Sequence, residues 1–331
     1  MDKNAIRIIF AMVVSLTLLF ILYSQIDVDD ILYTVGLLDP FYLLIAFMLY
    51  VGNYFFRSLR FYLLLEKKIS LRDLFTVVCV HNMTNNIFPA RTGELSYIYL
   101  LKKIHYKKIE EGIASLLIAR FLDFVSIMVL FLMATYTIGN LTPATMHLVW
   151  IITFLMLSLI MLFVMFVHFG KKVPQLFRAI AFRLKLDHIN LISLLLDKTD
   201  GTIERLQLLK NYEKTFLLKL IMVSLTIWLL MYSFNFLLVR AMNIDLNFML
   251  VVFATSFAIF TTVLPIQGIG GFGTLESGWA IGFITVGLSK DVAISSGLIY
   301  HTIILIYFLL LGIWGTMLIK KRFRNEQNHF L

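Results

Sequence analysis

The sequence predicts an all-α fold: a polytopic membrane helical bundle with six full spans and two re-entrant broken-helix hairpins in an inverted repeat. Three observations point there. Sixty per cent of the residues are hydrophobic and only 15% are charged, with a mean hydropathy of +0.87; a soluble domain carries about a quarter charged residues. Several apolar runs reach the roughly 20 residues that cross a hydrocarbon core of about 30 Å. Two further apolar stretches are broken midway by Pro and Gly. The short alternating strands of a membrane β-barrel do not occur.

The first run, IIFAMVVSLTLLFILY, follows Lys3 and Arg7 and looks like a signal sequence. It is longer than a typical signal core, and the SQIDVDD that follows offers no small-x-small cleavage site. It is expected to be a retained first span at about 6–24. The other spans fall at about 41–65, 112–138, 145–168, 217–239 and 292–319, and the broken stretches at 74–101 and 247–287. The chain reads as one integral membrane domain over 1–331.

Charge sets the orientation. With the N-terminus cytoplasmic and each broken stretch returning to its own side, 23 of the 29 Lys and Arg residues face the cytoplasm. Arg240 and Lys290 face outside, and Arg57, Arg60, Arg91 and Arg120 lie at membrane depth. This bias follows the positive-inside rule. If the broken stretches crossed fully, KKIHYKK at 102–108 would move outside and weaken it. The reading places the protein in the cell membrane with both termini cytoplasmic. It also accounts for the net charge of +9 by basic loops beside anionic headgroups, so no nucleic-acid partner is expected. Segment 170–215 is basic and amphipathic: it lies on the inner leaflet or packs on the bundle as an ordinary linker.

The two halves share a pattern, repeat one at about 41–138 and repeat two at about 217–319. Each has a long span, an apolar helix ending in polar residues and Pro, a Gly-containing tip with Glu, a short return and another long span. The first tip is NNIFPARTGE (85–94), with Pro89 and Gly93. The second is TTVLPIQGIGGFGTLE (261–276), with Pro265, Gly268, Gly270, Gly271 and Gly273. Paired Gly/Pro-interrupted segments in corresponding positions point to a transport site near the midplane. Non-helical backbone survives there only against protein or a wet cavity.

The polar residues at depth are the candidate substrate-binding set. Arg57 and Arg60, at i and i+3, share a helix face; they snorkel to headgroups or hold a phosphate, which suits the guanidinium fork. Arg120 and Asp123 have the same spacing and form either an internal ion pair or a pair that poises Arg91 and Glu94 in the first tip. A charge at the bilayer centre costs at least about 2.5–3.5 kcal/mol, so pairing or water is expected. Asn85 and Asn86 add neutral donors and acceptors. Glu276 is the acidic group of the second tip. Tyr300 and His301 lie at depth in the last span, and His81 in the first hairpin; a lone hydrogen-bonded His is the ordinary reading. Cys79, in apolar surroundings, is expected to be an inert buried thiol. No metal-binding spacing such as HExxH appears, and no cofactor is expected. GIGGFG at 268–273 satisfies GxGxxG literally, but its flanks are membrane segments rather than a βαβ unit.

The R-x-x-R span, the PARTGE tip, ARFLDF on the next span and the late LPIQGIGGFGTLE with Tyr300 resemble the lysylphosphatidylglycerol synthase transmembrane-region family, also described as flippase-like. The resemblance covers roughly 5 to 320. It implies an inner-membrane protein that handles lipid headgroups or lipid-linked sugars. Two departures bear on function. Full-length synthases append a soluble aminoacyl-transfer domain, whereas this chain ends at KKRFRNEQNHFL, so lysyl transfer is not expected from this polypeptide alone. His301 stands where the family pattern leads one to expect Arg, so a titratable group replaces a fixed cation.

The expectation is a non-enzymatic transporter that flips a phospholipid or polyprenyl-phosphate-linked headgroup, with anionic or phosphate-bearing lipids as partners. The alternative is a membrane component of lipid-linked glycosyl or aminoacyl transfer acting with a separate soluble enzyme.

Overall fold

The computed structural model describes residues 28–88, 93–139, 141–170, 200–208, 212–263 and 269–328, together with Lys172 and Gln175. The expected first span at about 6–24 lies outside these residues, as do Pro89, Arg91, Pro265, Gly268 and most of the segment 170–215. In chain order the elements are α1 (Val28–Gly36), α2 (Pro40–Leu64), α3 (Leu71–Ile87), α4 (Glu94–His105), α5 (Ile109–Ile138) and α6 (Pro143–His168). They continue with α7 (Lys214–Ala241), α8 (Phe248–Val263), a 3-10 turn (Ile269–Gly271), α9 (Thr274–Thr285) and α10 (Lys290–Asn328). No strand occurs among the described residues.

Five of these helices, α2, α5, α6, α7 and α10 as far as Lys321, are long and apolar enough to cross a membrane. They match five of the six expected spans. Helix starts follow local chemistry. Asp39 caps α2, its Oδ1 accepting from Phe41 N–H at 2.8 Å, with Pro40 in the first turn where its missing N–H is harmless. Ser70 caps α3 through the Asp73 N–H at 3.1 Å. The outward faces stay apolar: Trp150, Phe154 and Leu162 on α6 are all exposed, as a lipid-facing helix requires.

The broken stretches form two antiparallel helix pairs, α3/α4 and α8/α9. Helices of 17 and 12 residues reach only about 25 and 18 Å at 1.5 Å per residue. Close approach is built into the sequence. A Cβ on Gly93 would lie 2.3 Å from Asn85 N, so no other residue lets the first tip fold back on α3. In the second pair, a Cβ on Gly282 would lie 2.0 Å from the Ala254 carbonyl oxygen, and one on Gly278 2.8 Å from Ala258 Cα. Small residues four apart facing one another let the two backbones touch.

The pairs start from opposite ends of the bundle. Glu66 and Lys68, just before α3, share a crevice with Glu111 at the start of α5 and with Arg205 and Tyr212. Asp39 N–H donates to the Ala241 carbonyl at 3.0 Å, which sets the start of α2 beside the end of α7. Val286, after α9, packs into the same apolar cluster as Phe248 and Met249 at the start of α8. At the centre α2 and α7 make the most extensive contact. Around them α3 packs on α10 and α8 packs on α5, so each helix pair leans on the last long helix of the other half.

The described part of the basic segment docks on the bundle. Ile203 and Leu206 are buried, and Arg205 pairs with Glu111 at 2.8 Å. Residues 200–208 therefore pack as a linker.

Candidate functional site

Where the two helix pairs meet α2, α5, α7 and α10 they enclose a cavity of about 140 Å³. That is close to the size of a cavity that takes one benzene ring, about 150 Å³.

One wall is organised by Asp123. Its Oδ1 accepts from Arg60 Nη1 at 2.8 Å and from the Trp228 indole N–H at 2.8 Å. Its Oδ2 faces Arg60 Nη2 at 3.3 Å and Arg120 Nη1 at 3.4 Å. The Arg60 and Asp123 side chains are 1% and 3% exposed, so this two-pronged pair is held out of water and each charge depends on the other; Arg60 Nε is buried without a hydrogen-bond partner among the described residues. Ser224 Oγ lies 3.2 Å from Arg60 Nη1. Arg120 then reaches from Asp123 to the first tip, with Nη2 2.8 Å and Nε 3.0 Å from Glu94 Oε1. This is the link between α5 and the tip that the sequence suggested.

Arg57 differs. It lines the cavity. Its Nε donates to Asn53 Oδ1 at 2.7 Å, and Asn53 is anchored by its Nδ2 on the Ile227 carbonyl at 2.7 Å. The guanidinium stands 5.9 Å from the Trp228 ring centre, within cation–π range. It makes no ion pair among the described residues. Among the described residues three guanidiniums thus face two carboxylates here, and Arg57 is the one outside an ion pair. Opposite it, α3 contributes Asn82, Asn85 and Asn86. Asn82 Nδ2, a donor, and Asn85 Oδ1, an acceptor, are buried without a partner among the described residues.

The other wall belongs to the second tip. Gly270 and Gly271 line the cavity beside Tyr300 and His301. Gly270 adopts φ +67°, which turns its carbonyl toward His301 Nε2 at 2.9 Å. His301 Nδ1 lies 2.6 Å from Glu276 Oε1. The other Glu276 oxygen accepts from Gly273 N–H at 2.8 Å, closing the start of α9. Tyr300 is fixed by stacking on Trp279 at 4.0 Å.

Of the expected residues, Arg57, Asn85, Asn86, Arg120, Asp123, Tyr300 and His301 line one cavity. Arg60, Glu94 and Glu276 do not. Arg60 is turned into the α2–α5–α7 contact by Asp123, Glu94 is held by Arg120, and Glu276 is wholly buried with both oxygens engaged. Arg57 and Arg60 therefore part company despite their shared helix face. His81 packs its ring on Tyr97 at 5.6 Å. Cys79 is a buried free thiol, and no group of metal-ligating side chains occurs among the described residues. The sequence reading missed Asn53, Asn82, Tyr50, Tyr54 and Trp228. Asn82 was within reach, because HNMTNN is a polar run in an apolar helix; Trp228 lies in an aromatic-rich span with no such signal.

The chain matches the family model described as Lysylphosphatidylglycerol synthase TM region over residues 8–312. It belongs to this family. No curated protein and no solved structure matches the chain. For this member of the lysylphosphatidylglycerol synthase transmembrane-region family, the match takes in both helix pairs, the whole cavity and the Glu276–His301 contact.

Proposed function

We propose that this protein moves a phosphate-bearing lipid headgroup, of a phospholipid or a polyprenyl phosphate, across the bilayer through the cavity between the two tips. The observation that carries the reading is Arg57, a cation on the cavity wall with no ion-pair partner among the described residues. A guanidinium fork beside unpartnered amide groups suits a phosphate. Asn82 Nδ2 and Arg120 would share the anion, Asn85 Oδ1 would accept from a headgroup hydroxyl, and Asp123 with Arg60 and Trp228 would hold Arg120 in place. In this reading the short helix pairs are re-entrant hairpins of an inverted repeat. They join the five long helices and a first span at about 6–24 in a six-span bundle of the cell membrane, termini cytoplasmic. The opposite starting ends of the two pairs and their reciprocal packing support it.

The test is translocation of fluorescent phosphatidylglycerol and fluorescent polyprenyl phosphate in vesicles carrying the purified protein. The wild type should move at least one of them, and Arg57→Gln should slow it by about tenfold or more, as loss of a charge-assisted contact predicts. Equal rates in both proteins would remove Arg57 from the site. A second reading rests on the family's own description, which names a synthase: a membrane component of lipid-linked aminoacyl or glycosyl transfer working with a separate soluble enzyme. It is favoured if the protein moves no lipid yet raises the turnover of such an enzyme.

A further inference from the structure

We propose that Glu276 and His301 bind one exchangeable proton, that this proton ties the second tip to α10, and that an anionic headgroup at Arg57 tightens its binding. Only the last clause rests on the transport reading.

The argument is a count of hydrogens. The Gly270 carbonyl can only accept, so His301 Nε2 must donate to it across 2.9 Å. A neutral imidazole carries one N–H. With that hydrogen on Nε2, Nδ1 presents a lone pair to Glu276 Oε1 at 2.6 Å. Two lone pairs do not sit at that distance. A second hydrogen lies between them, either on nitrogen, giving imidazolium and carboxylate, or on oxygen, giving imidazole and carboxylic acid. Both forms are neutral overall. That agrees with the setting, because Glu276 is 0% and His301 2% exposed, with Phe272 against the ring at 4.3 Å.

Removing the proton leaves one negative charge in this dry site. The one imidazole hydrogen that remains can serve the carboxylate through Nδ1 or the Gly270 carbonyl through Nε2, but not both, and an isolated buried carboxylate is costly. The hydrogen therefore moves to Nδ1, where it keeps a charge-assisted bond to Glu276, and the Nε2 lone pair left facing the Gly270 oxygen breaks that contact. Gly273 stays on Glu276, but the Gly270 flank of the tip hangs from a hydrogen bond that exists only when the proton is bound. The proton is taken from and returned to water; no other bond is made or broken.

The surroundings set the sign of the coupling. α8 carries no ionisable residue, and α9 none but Glu276. Towards the cavity α7 presents Trp228 and Met231, α3 its asparagines, and α10 itself Tyr300. α1, which also packs on α10, contributes nothing to the lining. Cys79 of α3 meets α10 at Gly315, well along the helix. α5 presents Arg120 and Asp123, already tied to each other, and α2 presents Tyr50, Tyr54 and Arg57. Among the described residues Arg57 is the lining cation outside an ion pair, and its charge favours the deprotonated, negative form of the dyad. An anion bound at Arg57 cancels that effect and raises the affinity for the proton. By linkage the proton raises the affinity for the anion equally.

Nitrogen-15 NMR of histidine-labelled protein in nanodiscs, assigned with His301→Gln, reads the dyad without any transport assay. His301 should carry hydrogen on Nε2 below its titration and lose it from Nε2 above. Glu276→Gln should move that titration by about one pH unit or more. Soluble short-chain phosphatidylglycerol should move it upward in the wild type and not in Arg57→Gln. Hydrogen exchange of residues 269–274 should rise by about tenfold or more above the titration, relative to Glu276→Gln at the same pH. His301→Arg, which keeps a cation beside Glu276 but cannot release it, should hold the tip protected throughout. A His301 titration unchanged by Glu276→Gln, tip exchange equal on both sides of it, or no response to the short-chain lipid would each overturn the proposal. If all three appear and no labelled lipid crosses vesicles, the proton site is upheld and the transport reading is what fails.

Discussion

The two walls of the cavity solve the problem of buried charge in different ways. On the first, Arg60, Arg120, Asp123 and Glu94 are joined in a chain of ion pairs from the α2–α5–α7 contact to the first tip. On the second, a histidine and a glutamate meet as a pair of zero net charge and hold the tip through backbone groups. The first wall is rigid because each charge needs its partner at every pH near neutrality. The second, by the proposal above, is loosened by the loss of one proton. In the proposed function the first wall then stays fixed and the second helix pair is the part that yields.

The sharpest way to break this contrast is substitution of the two carboxylates. Asp123→Asn leaves Arg60 buried without a counter-charge and should cost about 3–5 kcal/mol, read as a large fall in thermal stability in detergent. Glu276→Gln should cost only about 1 kcal/mol, because an amide can accept from Gly273 and donate to His301 Nδ1. Equal losses would mean that the second wall is as charged as the first. Next in size are the glycine contacts. Gly93→Ala and Gly282→Ala force backbone apart in the first and second pairs respectively, and each should cost about 1–3 kcal/mol. A much smaller loss at Gly282 would show that the second pair already opens freely.

The smallest effect lies outside the membrane part. Glu66 and Lys68 form an exposed ion pair, and the hydrogen bond from Lys68 holds the Glu66 carboxyl below its usual range. Its contribution is present above the unfolded carboxylate value and is lost as pH falls through the lowered one. Glu66→Gln should leave the melting temperature at neutral pH within about 1 °C of the wild type. A larger shift would mean that the crevice with Glu111 and Arg205 carries more of the fold than its exposure suggests.

Much of this architecture was legible because it rests on composition and local chemistry. Length and hydropathy located the five described spans, and Pro and Gly located the two breaks. The positions at depth were right in kind, since charges in apolar segments need partners. Which partner each takes was not legible. Spacing alone pairs Arg120 with Asp123, and that contact exists at 3.4 Å. The shorter bonds of Asp123 come from Arg60, 63 positions away, and Trp228, 105 positions away. Arg57 and Arg60 share a helix face, yet three residues turn the helix by about 300°. The remaining 60° sends one to the cavity and the other into a helix contact. His301 gave no hint of Glu276, because pairing across 25 residues depends on where the tip folds back.

The reciprocal packing of the two halves has a consequence for how the chain is made. Because α3 rests on α10 and α8 on α5, neither half has a finished surface for its own hairpin. When α3 and α4 have been synthesised, the helix that supports them is still some 200 residues from emerging. The first hairpin must therefore wait in an unfinished site until the last span arrives. A gene split between residues 176 and 199 should give two fragments that are degraded when expressed alone and that complement each other when expressed together. Assembly is then a single late event, completed by α10.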